Sequence, residues 1–90
     1  MISQKTVVRN KSGLHLRPAA ELSKLAASLE SKITIVSGNK RVNPKSVLVL
    51  MGAEITQGTE IEIICEGETE EADLKKLLEA IDGGLGEETE

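Results

Sequence analysis

The order of apolar patterns along this 90-residue chain predicts an α+β fold. Four segments alternate apolar and polar side chains with the period of a strand, and three carry an apolar stripe at helical spacing. The predicted order is β-α-β-β-α-β-α, with strands at 2–9, 32–37, 40–43 and 60–66, and helices at 16–29, at 47–51 and after Thr69. Because each strand has one apolar face, the simplest packing is a four-stranded, mostly antiparallel sheet with all three helices on one face.

The first half of the chain supplies a strand, a helix and a hairpin. A loop rich in turn formers follows the first strand, from Asn10 to Gly13. Pro18 fits the first turn of the next helix, because its missing N–H would have no partner there. That helix carries apolar residues at i, i+3, i+4 and i+7, namely Leu22, Leu25, Ala26 and Leu29. Gly38-Asn39 then makes a tight turn between two strands.

The second half supplies a short helix, a strand and a last helix. Ser46 is a good N-cap for the short apolar run from Val47 to Met51. Cys65 alternates with other apolar residues of the fourth strand, which predicts a buried structural thiol. Thr69 is expected to cap the last helix, whose first turns carry acidic residues that favour the helix dipole: Glu70, Glu71 and Asp73. Gly83-Gly84 ends that helix.

Composition excludes several functional classes. The chain has no aromatic residue and a net charge of −4, which argues against binding nucleic acid through base stacking or phosphate contacts. One histidine and one cysteine, far apart in sequence, argue against a structural zinc site, and no cofactor is expected. No apolar run approaches the ~20 residues that span a bilayer, so no membrane insertion is expected. We expect a cytoplasmic protein with one domain over residues 1–86 and a frayed acidic tail at 87–90.

The only histidine, His15, falls where a loop becomes a helix. It is therefore expected beside free backbone N–H groups and the positive end of a helix dipole. Arg17 follows within the same turn, and its planar guanidinium suits phosphate oxygens. This arrangement predicts a histidine that carries a phosphoryl group. Two plainer interpretations stay open, in which His15 is an ordinary cap or surface residue and Arg17 a solvated charge; Ser12 either caps the loop or contributes its hydroxyl to the phosphate.

The segment Gly13-Leu14-His15-Leu16-Arg17-Pro18-Ala19 resembles the phosphorylation-site signature of HPr, the histidine-containing phosphocarrier of the bacterial phosphoenolpyruvate:sugar phosphotransferase system. Val42-Asn43-Pro44-Lys45-Ser46-Val47 resembles the same family's second signature, around a regulatory serine. The resemblance covers about residues 2–86 and implies an open-faced β-sandwich. It implies that His15 takes phosphate on Nδ1 from phospho-enzyme I and passes it to sugar-specific IIA domains, as a carrier and not as a stand-alone catalyst. Residues expected to support the phosphate are Arg17, Ser12, Leu16 and Pro18.

The resemblance also implies regulation at Ser46. An ATP-dependent HPr kinase/phosphorylase would phosphorylate this serine, and a catabolite-control transcription factor would be a further partner. The alternative hypothesis is an HPr-like regulatory module that acts through Ser46 phosphate on a transcription factor or metabolic enzyme. The presence of His15 argues against it, because such paralogues tend to lose the histidine. Ser46 as a bare helix cap also stays open, whereas a single histidine gives little support to a stand-alone enzyme.

Apolar residues near His15 exceed what a core requires, which predicts a surface for docking partners. They are Leu16, Ala20, Val47, Leu48 and Met51. The chain departs from the family pattern around this surface: Leu16 replaces the usual alanine, Pro44 an aliphatic residue, Leu48-Val49 the usual Met-Gly, and Glu54 a common glycine. These departures leave His15, Arg17 and Ser46 intact.

Overall fold

A computed structural model describes residues 1–11 and 13–85. The interpretations of Ser12 and of the tail at 87–90 lie outside the described residues. Seven elements, numbered in chain order, make up the fold: β1 Ile2–Val7, α1 Leu16–Ala27, β2 Lys32–Ser37, β3 Lys40–Val42, α2 Val47–Gly52, β4 Glu60–Glu66 and α3 Glu70–Asp82.

The four strands form one sheet in the order β1-β4-β2-β3, and each pairing is antiparallel. β4 lies between β1 and β2, with Cys65 opposite both Ile2 and Ile33. The helices cover one face of this sheet, so the predicted α+β open-faced sandwich is confirmed.

The core lies between that face and the helices, and it is aliphatic except for Cys65. Its fully buried side chains come from every layer, with Ile35, Ile61 and Ile63 from the sheet and Leu22, Leu50, Leu77 and Ile81 from the helices. Burying one such side chain contributes roughly 1.5–3 kcal/mol. Cys65 is buried among them as predicted, and burial raises the pKa of its thiol.

Several predicted boundaries extend too far. β1 ends at Val7, because Val8 turns to the loop before β4, where its N–H donates to the Thr59 carbonyl at 3.0 Å. α1 ends at Ala27, although Leu29 is buried, because Ser28 and Leu29 donate to carbonyls only three residues back. The predicted Thr69 cap is wrong in detail: Thr69 holds the N-cap position, but its hydroxyl donates to Asp73 Oδ2 at 2.7 Å instead of accepting a backbone N–H.

Asp73 has a further role at this helix start. The sequence predicts that it favours the helix dipole, and the structure shows in addition that its carboxylate is buried. Besides Thr69, it accepts the Ser31 hydroxyl at 2.6 Å and the Ser31 N–H at 3.1 Å, which ties α3 to the loop between α1 and β2. The helix ends as predicted, since Gly84 takes a left-handed backbone (φ 85°) and its N–H donates to the Ile81 carbonyl.

Candidate functional site

The backbone of the residues before His15 packs against the loop between α2 and β4. The Leu14 N–H donates to the Ile55 carbonyl at 2.9 Å. Gly13 has a left-handed backbone (φ 63°), and a Cβ atom there would collide with the Ile55 carbonyl and lie 2.6 Å from Thr56 Cα. The buried Asn10 amide donates to the Gly13 carbonyl, which closes the loop on itself. The residue before His15 is therefore fixed to a second loop.

His15 occupies the N-cap position of α1 with an extended backbone. Its carbonyl accepts the Ala19 N–H at 2.9 Å, which begins the helix. The imidazole makes no capping hydrogen bond and is exposed. The interpretation of His15 as an ordinary side-chain cap therefore has no support from the geometry, and the ring lies where a partner protein can reach it.

The first turn of α1 favours an anion. In any α-helix the first N–H groups have no intrahelical partner, and here these include Leu16 and Arg17, since Pro18 has none. No acidic side chain lies in this turn, whereas the first turn of α3 carries three, so the positive end of the α1 dipole is not offset by its own residues. The Arg17 side chain is exposed beside it. This helix start can hold the oxygens of a phosphoryl group.

Pro18 and Ala19 are buried, so they fix the start of α1 to the core. Leu16, Arg17 and Ala20 on the same two turns remain exposed. The start of α1 is thus held rigidly against the core while its exposed side chains stay accessible.

Ser46 caps α2, as the sequence predicts. Its Oγ accepts the Val49 N–H at 3.3 Å, and the side chain is half-buried. The segment before it is tied to α1, because the Ser23 hydroxyl donates to the Lys45 carbonyl at 2.9 Å. Ser46 is thus attached to the helix that begins at His15.

Apolar side chains lie at the surface of both helices, and we call them the α1–α2 apolar residues: Leu16, Ala20, Val47, Leu48, Val49 and Met51. All are exposed except Val47, which is half-buried and packs against the core. The exposed fractions are 81% for Leu48, 62% for Leu16, 43% for Val49 and 37% for Met51. Val49 was missing from the predicted docking set. The signal for it is that Leu48 and Val49 cannot both point inward from one helix; in the structure neither does, and Leu50 fills the core instead.

Two carboxyl groups at the start of α3 and the Cys65 thiol have shifted pKa values. The Gly67 N–H lowers the pKa of Glu70 and the Ser31 hydroxyl lowers the pKa of Asp73, both at the start of α3, while Cys65 lies in the core. Within residues 1–11 and 13–85, no group of three or more His, Cys, Asp or Glu side chains is placed to hold a metal ion. No helix in that part of the chain is long and apolar enough to cross a membrane.

An exposed histidine at a helix start, on a four-stranded open-faced sandwich, is the arrangement expected of a domain of the phosphocarrier class. A family model described as the PTS HPr component phosphorylation site matches residues 2–82. The chain belongs to the HPr family, the phosphocarrier components of the phosphotransferase system.

Individual relatives agree with this assignment. The chain is 40% identical over 77 residues to the HPr-like protein Crh of Bacillus subtilis, covering 86% of this chain and 91% of that protein. It is 37% identical over 82 residues to phosphocarrier protein HPr of Borreliella burgdorferi, covering 91% and 95%. The crystal structure of HPr-C-His from Thermoanaerobacter tengcongensis superposes with a TM-score of 0.92 at 36% identity, covering 98% of this chain and 99% of that one.

Proposed function

We propose that this protein carries a phosphoryl group on His15, taking it from phospho-enzyme I and passing it to sugar-specific IIA domains. The observation that carries the proposal is the exposed His15 at the start of α1, in a turn that holds Arg17 and no acidic side chain. Membership of the HPr family supports the same role. The role requires a cytoplasmic location, where the soluble partners would be met.

In the first transfer, a lone pair on an imidazole nitrogen of His15 attacks the phosphorus held by enzyme I. The new N–P bond forms as the donor's bond to phosphorus breaks, and that electron pair returns to the donor atom. The family resemblance assigns Nδ1 as the acceptor. The N–H groups of the first turn and the Arg17 guanidinium hold the phosphoryl oxygens during transfer. The second transfer, to a IIA domain, runs in the same way with His15 as donor.

The α1–α2 apolar residues supply the contact surface around this chemistry. All but the half-buried Val47 are exposed, and the two helices are joined by the hydrogen bond from Ser23 to the Lys45 carbonyl. Protein contacts of this kind have an apolar centre and a polar rim. We expect enzyme I and the IIA domains to bury Leu48 and Leu16 while the imidazole meets the partner's reactive group.

The experiment is labelling with phosphoenolpyruvate and enzyme I. The protein should take one phosphoryl group, on His15, and lose it in acid, because an N–P bond is acid-labile. His15→Ala, an exposed position, should fold normally and take no label. Equal labelling of His15→Ala, or a label that survives acid, would contradict the carrier role.

A second candidate is a regulatory module that acts through Ser46 phosphate. Similarity to the HPr-like protein Crh favours it, together with the half-buried Ser46 at the start of α2. The labelling experiment separates the two functions. A purely regulatory protein would take an acid-stable label from ATP and an HPr kinase/phosphorylase, absent in Ser46→Ala, and none from phosphoenolpyruvate and enzyme I.

A further inference from the structure

The loop after α2 begins with a left-handed residue that carries a charge. Ala53 is the C-cap of α2, and Glu54 follows with φ 55°. A side chain in this conformation meets the neighbouring carbonyl, which is why glycine is favoured there. Glu54 nevertheless has an exposed side chain. An acidic residue is therefore held in a fixed, unfavourable backbone at the start of this loop.

This loop runs antiparallel to the loop that leads into α1. Gly13 lies against Thr56, and the Leu14 N–H bonds to the Ile55 carbonyl at 2.9 Å. His15 follows Leu14 and Glu54 precedes Ile55, so His15 and Glu54 flank the same hydrogen-bonded pair of loop residues.

Glu54 has no ion-pair partner within 4.0 Å among the residues that the structure describes. The Lys40 ammonium donates to the carbonyl of the preceding residue, Ala53, at 3.3 Å, and makes no ion pair with Glu54 among the described residues. Arg17 stands in the first turn of α1, next to His15. A phosphoryl group on His15 would thus meet positive charge from its own helix and negative charge from the facing loop.

We propose that Glu54 tunes the phosphohistidine by repulsion: its carboxylate raises the free energy of the phosphorylated protein and so favours onward transfer. This inference rests on the carrier function proposed above. Arg17 and the helix start attract the phosphoryl oxygens, whereas the Glu54 carboxylate repels them. This repulsion keeps the phosphorylated protein from becoming too stable to pass the group on. Since Glu54 is exposed, the effect is modest and depends on salt.

The test measures the equilibrium between phosphoenolpyruvate and the phosphorylated protein, with catalytic enzyme I and varied ratios of pyruvate to phosphoenolpyruvate. Glu54→Gln removes the charge and keeps the Cβ atom, so the backbone strain is unchanged. We expect it to shift the equilibrium toward the phosphorylated form by roughly two- to fivefold at ~0.01 M salt, and by much less at ~1 M. Glu54→Asp keeps the charge and should behave as the parent does.

Glu30→Gln is the matched control, because it removes one negative charge beyond the far end of α1. The inference is overturned if Glu54→Gln matches the parent at low salt, shifts the equilibrium toward the unphosphorylated form, or has no larger effect than Glu30→Gln. A purely structural role for Glu54 would change thermal stability without a salt-dependent equilibrium. If the parent takes no label at all, the carrier function itself fails, and this inference fails with it.

Discussion

At the scale of the residue, Arg17 is the exposed cation beside the candidate phosphoryl acceptor. Arg17→Glu should leave the fold intact, because the side chain makes no ion pair with another described residue and does not contribute to the core. Losing one charge-assisted contact to the transferring group costs ~1.5–3 kcal/mol, which slows transfer roughly ten- to a hundredfold if the contact is made only in the transition state.

Transfer rates from phospho-enzyme I measure this effect. Lys24→Glu makes the same charge change in the last turn of α1 and should transfer at the parent's rate. An unchanged transfer rate in Arg17→Glu would mean that the guanidinium takes no part in phosphoryl transfer.

Single residues also show which parts of the candidate site could be predicted from the sequence. His15, Arg17 and Ser46 could be selected because each stands at a helix start, and helix starts leave local signals. The contact of Gly13 with Ile55 and Thr56 could not be predicted from the sequence, because it joins segments that are far apart in the chain. Glu54 was visible as a departure from the family pattern, but its left-handed backbone was not.

At the scale of the element, α3 is attached through a buried carboxylate. Hydrogen bonds from the Ser31 hydroxyl, and then from Thr69 and the Ser31 N–H, hold the pKa of Asp73 below its ordinary value, against the opposing effect of burial. Its stabilising effect is therefore fully present above the unfolded-state pKa of ~3.9, and it is lost as the pH falls through the lower folded-state pKa.

Asp73→Asn should lower the free energy of unfolding at neutral pH by about 1.5–3 kcal/mol, since the Ser31 and Thr69 donors lose a charged acceptor. The deficit should be constant from pH 5 to pH 8 and shrink below about pH 4, because the parent then loses the same charge. Urea unfolding at several pH values measures it. Glu68→Gln, at an exposed position, should show no such deficit; a deficit in Asp73→Asn that persists at pH 2 would argue for a packing defect instead.

Element types were easier to predict than element ends. The helical and strand periods identified all seven elements in order. The ends of β1 and α1 were placed two residues too far, because Val8 and Leu29 are buried like residues of an element while their hydrogen bonds belong to a loop and a tightened turn. Burial patterns report which side chains face the core, and they do not report where the ladder of hydrogen bonds stops.

At the scale of the whole molecule, packing of α1 against α2 brings the two candidate phosphorylation positions onto connected helices. Ser46→Asp should keep the melting temperature within about 4 °C, because aspartate is also a good N-cap. It should raise the KM for enzyme I by about tenfold at low salt, because a negative charge then stands beside Val47 and Leu48 in the docking surface. The effect should weaken as salt screens the charge.

Ser46→Asn is the matched control, since it keeps the cap without the charge and should bind enzyme I as the parent does. Tight binding of enzyme I by Ser46→Asp at low salt would show that Ser46 and His15 do not share a docking surface, and Ser46 would then be a helix cap alone.

The order of the strands in the sheet could not be predicted from the apolar pattern of the sequence. One-sided alternation in each strand requires only that apolar faces meet the helices, and several strand orders satisfy it. The observed order, β1-β4-β2-β3, is what brings the loop after α2 beside the loop before α1 and so builds the site.

The order of the strands in the sheet also determines how the chain can fold during its synthesis on the ribosome. β4 is the last strand to be synthesised, yet it pairs with both β1 and β2, and Ile2 finds its partner only at Cys65. Until that strand emerges, the nascent chain can form the β2–β3 hairpin and isolated turns of helix, but no sheet wide enough to bury the core. Such dependence on distant contacts slows folding relative to a helical bundle of equal length. Synthesis must therefore pass residue 66 before His15 gains the rigid support of its neighbouring loop, so the candidate site forms only together with the complete sheet.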